Sequence, residues 1–329
     1  MTDYRRLRTN AGLADLQAWT RFDLAGPQAC DALDAVVGCN VRDLFEGRAA
    51  NTLIPSLSGG IDAIVWVIAL ENGFRIVGEP GDGEAVGRVL AESTTGRDAV
   101  LRDIRDETFA LALIGPEAEK IAWKTFGDEV HSIAFLNVMP IGDPVVLAAR
   151  IGYFGEYELH LFGEVERRQS VIDGLVKAAD DDALVVGEGA LPAMMTEMGT
   201  LSRARDVPPD VSVFEAGLQW MIDFRKENLR SAAELEREKH SVDRKCVLMV
   251  VDGHASGLRH QSVFIEDCDI GRIQSAFDSE TLGRSVALAY LTEDLAIPGL
   301  TCTVGPDRHT GETVSSPAFL GRSILDSLG

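Results

Sequence analysis

No two cysteines of this chain stand in C-x-x-C spacing: Cys30, Cys39, Cys246, Cys268 and Cys302 are odd in number and scattered over 329 residues. That scatter excludes a ribbon-type zinc site and a disulfide framework, and it suits the reduced thiols of a cytoplasmic protein. The six histidines show neither H-x-x-x-H nor H-E-x-x-H spacing, so no metal is expected. Basic residues are scarce, 31 against 52 acidic, and the resulting formal charge of -21 repels nucleic-acid phosphates and anionic lipid surfaces. Neither nucleic acid nor a membrane is an expected partner. No apolar run approaches a membrane span, and the arginine-bearing first ten residues lead into no signal-peptide core. A dinucleotide fingerprint is missing too. Gly81-Asp82-Gly83-Glu84-Ala85-Val86-Gly87 follows a Gly-Glu-Pro turn and carries acids that would repel a pyrophosphate, so it reads as a loop opening a helix.

What is there is a globular composition, 46% hydrophobic, long enough for two or three domains. A distinctive stretch is Ser58-Gly59-Gly60-Ile61-Asp62-Ala63-Ile64-Val65-Trp66-Val67-Ile68. The two glycines allow a tight turn, and the apolar run after them reads as a hairpin arm leading into a buried strand. Asp62 is thereby pushed towards the interior, where a carboxylate must be paired, hydrogen-bonded or functionally tuned. On this stretch alone, an aspartate accepting hydrogen bonds from the Gly-Gly turn is a sufficient reading.

Strand, Gly-Pro, helix occurs twice: Arg21–Gly26 with Gly26-Pro27 opening a helical stretch through Val37, and Thr108–Pro116 before the helical Glu117–Phe126. The repetition predicts two similar half-units, with the hairpin Ile64–Leu70 and Phe74–Val77, turned at Asn72-Gly73, between the copies. Pro144–Arg150 reads as a strand; beyond it Glu156 falls at a glycine-bounded turn and Glu158 on the polar face of a strand. Arg167–Ala179 and Pro192–Leu201 read as helices, and Lys226–His240 as a charged linker helix with Leu229 and Leu235 on its apolar side. From Cys246 onward five short strands at regular spacing predict a small barrel or sandwich. The fold class is α+β, with a body over residues 1–242, divided into sub-units of about 1–105 and 106–242, and a C-terminal β-barrel over 243–329.

Taken in order, a series of segments resembles the glycine-cleavage T-protein (aminomethyltransferase) and folate-dependent demethylase superfamily. Leu7-Arg8-Thr9-Asn10-Ala11-Gly12-Leu13-Ala14-Asp15 is similar to its R-T-x-A-G-L-x-D opening, and Gly59-Gly60-Ile61-Asp62-Ala63-Ile64-Val65 to a shortened G-G-x-x-x-D-x-x-V. Ile114-Gly115-Pro116 resembles its strand-to-helix G-P, and Gly152-Tyr153-Phe154-Gly155-Glu156-Tyr157-Glu158-Leu159 resembles G-Y-T-G-E-x-G-Y-E-I, two residues shorter. Ser212–Ile222, S-V-F-E-A-G-L-Q-W-M-I, and Thr281–Tyr290, T-L-G-R-S-V-A-L-A-Y, resemble its later segments. No single match is specific, but six in order are.

The resemblance implies two similar α/β half-units around a central channel that admits tetrahydrofolate, with the small β-barrel behind. It implies a one-carbon (methyl or methylene) transferase acting on a small methylated or aminomethyl substrate. Asp62 would be the catalytic acid, steadying an electrophilic carbon or relaying a proton. Tyr153, Glu156, Asn51, Glu197 and Trp220 would contact the cofactor, Glu156 by accepting from the pterin N–H groups. The chain departs from the pattern at Leu191 and Met195, where the family's G-x-x-A-R-D-x-L-R segment carries arginines; Arg203, Arg205 or Arg272 would have to replace them. Asn51 stands where an aromatic residue is expected, and Ala63 where the family has the second acid of Asp-Asp-Leu. Met194, Met195 and Met198 would shape the substrate pocket. Two alternatives remain. One is a folate-binding relative without catalysis, although the K-G-C-Y-x-G-Q-E motif of its iron–sulfur branch is missing. The other is the folate subunit of a heteromeric oxidase or demethylase complex, with a partner chain in place of the family's N-terminal segment.

Overall fold

The computed structural model describes residues 1–143, 145–181 and 183–328. Eleven of its strands form two sheets. In chain order they are β1 (Gly12–Asp15), β2 (Thr20–Ala25), β3 (Ala49–Pro55), β4 (Ile61–Leu70), β5 (Gly73–Gly78), β6 (Val100–Asp103), β7 (Thr108–Ile114), β8 (Val138–Ile141), β9 (Val146–Ala149), β10 (Glu158–Glu164) and β11 (Val185–Val186). One sheet runs β3-β4-β5-β2-β6 and the other β8-β9-β10-β7-β1-β11. Both half-units therefore use one pattern, in which a Gly-Pro turn after the first strand (β2, β7) opens a short helix and a hairpin-linked trio returns to the strand's other side. The exception is β1. It lies in the second sheet, antiparallel to β7 and parallel to β11, so a division at about residue 105 does not separate the two sheets.

Strands such as β4 and β7 are near-continuous apolar runs because each sheet is buried on both faces, with successive side chains pointing to opposite sides. Along β4, Ala63, Val65 and Val67 cluster with the helices Ala29–Asp34 and Gly83–Thr94, while Trp66 and Ile68 turn to the layer between the sheets. There they meet Ala112, Ile114 and Phe162 of the second sheet, whose outer face is covered by the helices Ala118–Phe126 and Arg168–Ala179. Glu158 follows the same alternation as Phe162, so its face is this interior layer and not the polar surface expected for it; it is 3% exposed. Of the strand read over Pro144–Arg150, Val146–Ala149 is observed, and Pro144 lies outside the described residues.

The third body is a closed six-stranded barrel, β12 (Arg244–Val251), β13 (Ser262–Ile265), β14 (Cys268–Ser279), β15 (Arg284–Thr292), β16 (Thr301–Val304) and β17 (His309–Val314). The sixth strand, polar on its outer positions and missed in the sequence, is what closes it. Lys226–His240 is helical only over Ala232–Glu238. Ahead of that helix the chain is stitched down by its side chains: Lys226 Nζ donates to the carbonyls of Val37 and Cys39, and Asn228 to Asp34. Leu229 and Leu235 enter the cluster that joins the body to the barrel.

Candidate functional site

Where the two sheets and the barrel meet, a channel of two lobes opens. The inner lobe, ≈ 690 Å³, is walled by Asn51 of β3, Ile64 and Trp66 of β4, the barrel's Cys246 and Leu248, and Trp220 at its mouth. The outer lobe, ≈ 660 Å³, is walled by Arg150, Glu156, Tyr157, Glu158 and Pro317. Phe135, Gly152, Tyr153, Met198 and Thr200 line both, so they form the waist. Burial pushes the Cys246 thiol up to about 12, which leaves it protonated and unreactive.

Tyr153 is central to this arrangement. Its ring meets Trp19 edge-on at 5.3 Å and Trp66 at 5.9 Å. Its backbone N–H donates to Glu158 at 2.9 Å, and that of Phe154 donates to the same carboxylate, which holds the turn. Among the described residues neither the Tyr153 hydroxyl nor Trp66 Nε1 makes a well-aligned hydrogen bond, though both are buried and the indole N–H faces the phenol oxygen closely enough to offset part of its rise in pKa. Burial, then the charges of Glu79, Glu158 and Asp82, hold the phenol well above its ordinary pKa. Two buried donors without a well-aligned partner beside a cavity mark a place where a ligand's polar atoms belong.

Glu79 and Asp82 were not singled out in the sequence. They flank Pro80-Gly81 after β5. Burial raises Glu79 to about 7, with the Ser202 hydroxyl donating to it at 2.6 Å, and raises Asp82 to about 6. Asp82 uses one oxygen to accept from the Ile64 N–H at 3.2 Å, and the other is buried without a partner among the described residues. The only local signal was an acid on each side of Pro-Gly; the burial comes from the Ser202 segment, distant in sequence.

Of the residues expected at the site, Tyr153, Asn51 and Trp220 line the inner lobe. Glu156 lines the outer one. Asp62, expected as the catalytic acid, does not line either lobe among the described residues. The pairing of β3 with β4 steps from Ile54↔Ala63 to Pro55↔Ile61, so Asp62 sits in a bulge and leaves the face of Ile64 and Trp66. It pairs instead with Arg230 at 3.0 Å, which also approaches Glu92 of the outer helix. The Gly-Gly turn is held by Ser56, whose hydroxyl accepts from the Gly60 N–H, and not by Asp62.

Glu197 is also away from the lobes. It is fully buried, accepting from the Tyr4 hydroxyl and from Arg8 Nη2, each at 2.5 Å. Arg8 further donates to the Phe154 carbonyl and to Glu156, so the family-like Arg8 of the opening segment is a structural cross-brace. Burial alone would lower that guanidinium, yet Glu197 holds it above its ordinary pKa. Leu191 and Met195, in place of arginines, are buried in the layer between the sheets with Met194; of the three methionines only Met198 reaches the channel. Arg203 and Arg205 do not replace the missing cations, since Arg203 donates to the Ile61 carbonyl and Arg205 pairs with Asp206. Arg272 is exposed on β14. Among the described residues Arg150 is the basic side chain that lines a lobe, stacked over Tyr157 at 4.3 Å.

Two sheets with a shared strand pattern, a six-stranded barrel and a channel where the three meet define a T-protein fold. Residues 1–226 match the family described as the GCVT N-terminal domain, and residues 244–319 the glycine cleavage T-protein C-terminal barrel domain. The chain belongs to the glycine cleavage T-protein family. It is 30% identical over 313 residues to an aminomethyltransferase of Streptomyces coelicolor, covering 92% of this chain and 83% of that one. It is 25% identical over 322 residues to one of Thermotoga maritima, covering 96% and 88%. The glycine cleavage system aminomethyltransferase T from Bartonella henselae has the same fold, with a TM-score of 0.87 at 19% identity over 97% of this chain and 89% of that one. Among the described residues no helix is long and apolar enough to cross a membrane.

Proposed function

We propose that the protein is a tetrahydrofolate-dependent transferase that moves a one-carbon unit between the folate and a small aminomethyl or methylated compound. The observation that carries this reading is the inner lobe, whose aromatic walls enclose two buried polar atoms that lack a well-aligned hydrogen bond among the described residues, Trp66 Nε1 and the Tyr153 hydroxyl. A flat heterocycle with polar edges fits such a wall, since it buries its faces on the rings and satisfies the open donors at its rim. The names of the similar curated proteins, aminomethyltransferases, support the same class.

Asn51, Trp66 and Tyr153 would hold the ring system, and Arg150 is placed for an anionic end in the outer lobe. Tetrahydrofolate, when bound, supplies the nitrogen that takes up or releases the carbon. The chain's contribution is exclusion of water by Met198 and Leu248, which protects an electrophilic carbon from hydrolysis, and a Tyr153 hydroxyl kept protonated so that it can donate. Titration with tetrahydrofolate, followed by tryptophan fluorescence, tests the reading. Quenching that is reduced in Trp66→Phe is expected, the remainder coming from Trp220 at the mouth, and no binding to the wild-type protein up to roughly 1 mM, the upper end of ordinary substrate requirements, sinks it.

A further inference from the structure

Glu156 lines the outer lobe, yet its carboxylate is already engaged. The Ser323 hydroxyl donates to it at 2.6 Å, the Ser323 N–H at 2.9 Å, the Arg322 N–H at 3.2 Å and Arg8 Nη1 at 3.3 Å. Its side chain is 1% exposed. An ionised carboxylate offers about four lone-pair sites, and these donors take them, leaving no capacity for a ligand's N–H groups. Three of the four donors belong to the segment that follows the barrel.

That segment comes back from β17 across the channel. Ser316 lines the inner lobe, and Pro317 and Ser323 line the outer one. The Ala318 N–H donates to the Glu197 carbonyl, the Phe319 ring lies under the Arg8 guanidinium at 4.9 Å, and Ser323 also accepts from the Tyr157 N–H at 2.9 Å. The approach is closest at Gly321, where an added Cβ would collide with the Gly155 carbonyl oxygen and the Glu156 carboxylate. Gly155 itself turns with φ +76, and a Cβ there would run into Met198 at the waist. Turn, latch and strap thus share one contact.

We propose that Glu156 serves as the latch of this strap and not as a ligand group, and that the strap residues Pro317 and Ser323 are the wall that determines what the outer lobe admits. The identity of the ligand rests on the folate reading above, while the latch stands without it. A carboxylate that both fixes the wall and lines the lobe lets the chain keep the acid of the Gly-Tyr-Phe-Gly-Glu turn while assigning it to closure.

Three full-length variants separate the roles. Gly321→Ala removes no polar group and prises the strap off sterically, Ser323→Ala removes one donor, and Glu156→Gln weakens the acceptor. Trypsin cleavage after Arg322 reports strap release, because cleavage follows the population of the open form. All three are expected to cut faster than wild type by about tenfold or more, the factor that losing one charge-assisted hydrogen bond gives. If Gly321→Ala and Ser323→Ala cut no faster than wild type, the latch is refuted, whether or not any folate binds. In tetrahydrofolate titration the three variants are expected to shift affinity together. A loss above tenfold in Glu156→Gln alone, with the other two unchanged, would restore Glu156 as a ligand group and overturn the proposal. Failure of wild type itself to bind tetrahydrofolate counts against the proposed function and leaves the proteolysis result to decide the latch. Should Glu156→Gln fail to fold for want of its Arg8 pairing, the other two variants still decide it.

Discussion

The half-buried Glu79 and the buried Asp82 should make the protein less stable as the pH rises from acid to neutral, and two neutral substitutions should abolish their share of that loss. Burial raises Glu79 from 4.5 to about 7 and Asp82 from 3.8 to about 6. A carboxyl whose folded pKa lies above its unfolded one holds its proton longer in the native state. Its contribution is complete below the unfolded pKa and disappears as the pH climbs through the folded pKa, here across about pH 4 to 7. At 1.36 kcal/mol per unit, each shift has a ceiling of roughly 3 kcal/mol, and relaxation of the interior at high pH reduces what is observed to roughly half. Urea unfolding at pH 4.5 and pH 8 should therefore give a stability drop that is about 3 kcal/mol larger in wild type than in the double variant Glu79→Gln, Asp82→Asn. The comparison with the variant matters because a chain of net charge -21 also loses stability to self-repulsion as other acids ionise. Equal pH dependence in the two proteins would show that the pair is solvated and that its burial carries no energetic weight.

Two other outcomes follow from the site. Arg8→Met should destabilise the fold by roughly 3–5 kcal/mol in urea denaturation, since it leaves Glu197 charged and buried; a loss under about 1 kcal/mol would mean that water reaches the brace. Asp62→Asn should cost no more than about 1 kcal/mol, because its ion pair with Arg230 is partly solvated, and should leave tetrahydrofolate affinity unchanged; a tenfold weaker affinity by calorimetry would return Asp62 to the channel.

Much of the architecture was legible because it rests on local periodicity. Strands such as Thr108–Ile114 alternate over two faces, and Gly-Pro marks the same turn in each half-unit, so the repeat could be read directly. The site was harder, because facing depends on register and on what arrives later in the chain. Asp62 looked central until the bulge at Ile54/Pro55 turned it outward. Glu158 looked solvent-facing because alternation tells which residues share a face and not what covers it. Lys226–His240 has helical composition throughout, but side-chain bonds to the Asp34–Cys39 region hold its first part in turns and bends ahead of the helix. The engagement of Glu156 depends on a segment 167 positions further along, beyond any local pattern.

The placement of β1 has a consequence for how the protein is made. Leu13 pairs with Leu113 on one side and Val185 on the other. A strand synthesised ahead of the whole first half-unit must wait for its neighbours until most of the body has left the ribosome, while the sheet holding β2 to β6 can close by itself. Completion of the second sheet is then a late, long-range step, and the loop that bridges it encloses the whole of the first half-unit. Moving the chain ends to the loop after β1, with the two ends of the present sequence joined by a linker, would place that strand after the barrel segment and delay it further. Such a permutant should fold to the same structure more slowly, with the first sheet formed and the second still open as its long-lived intermediate.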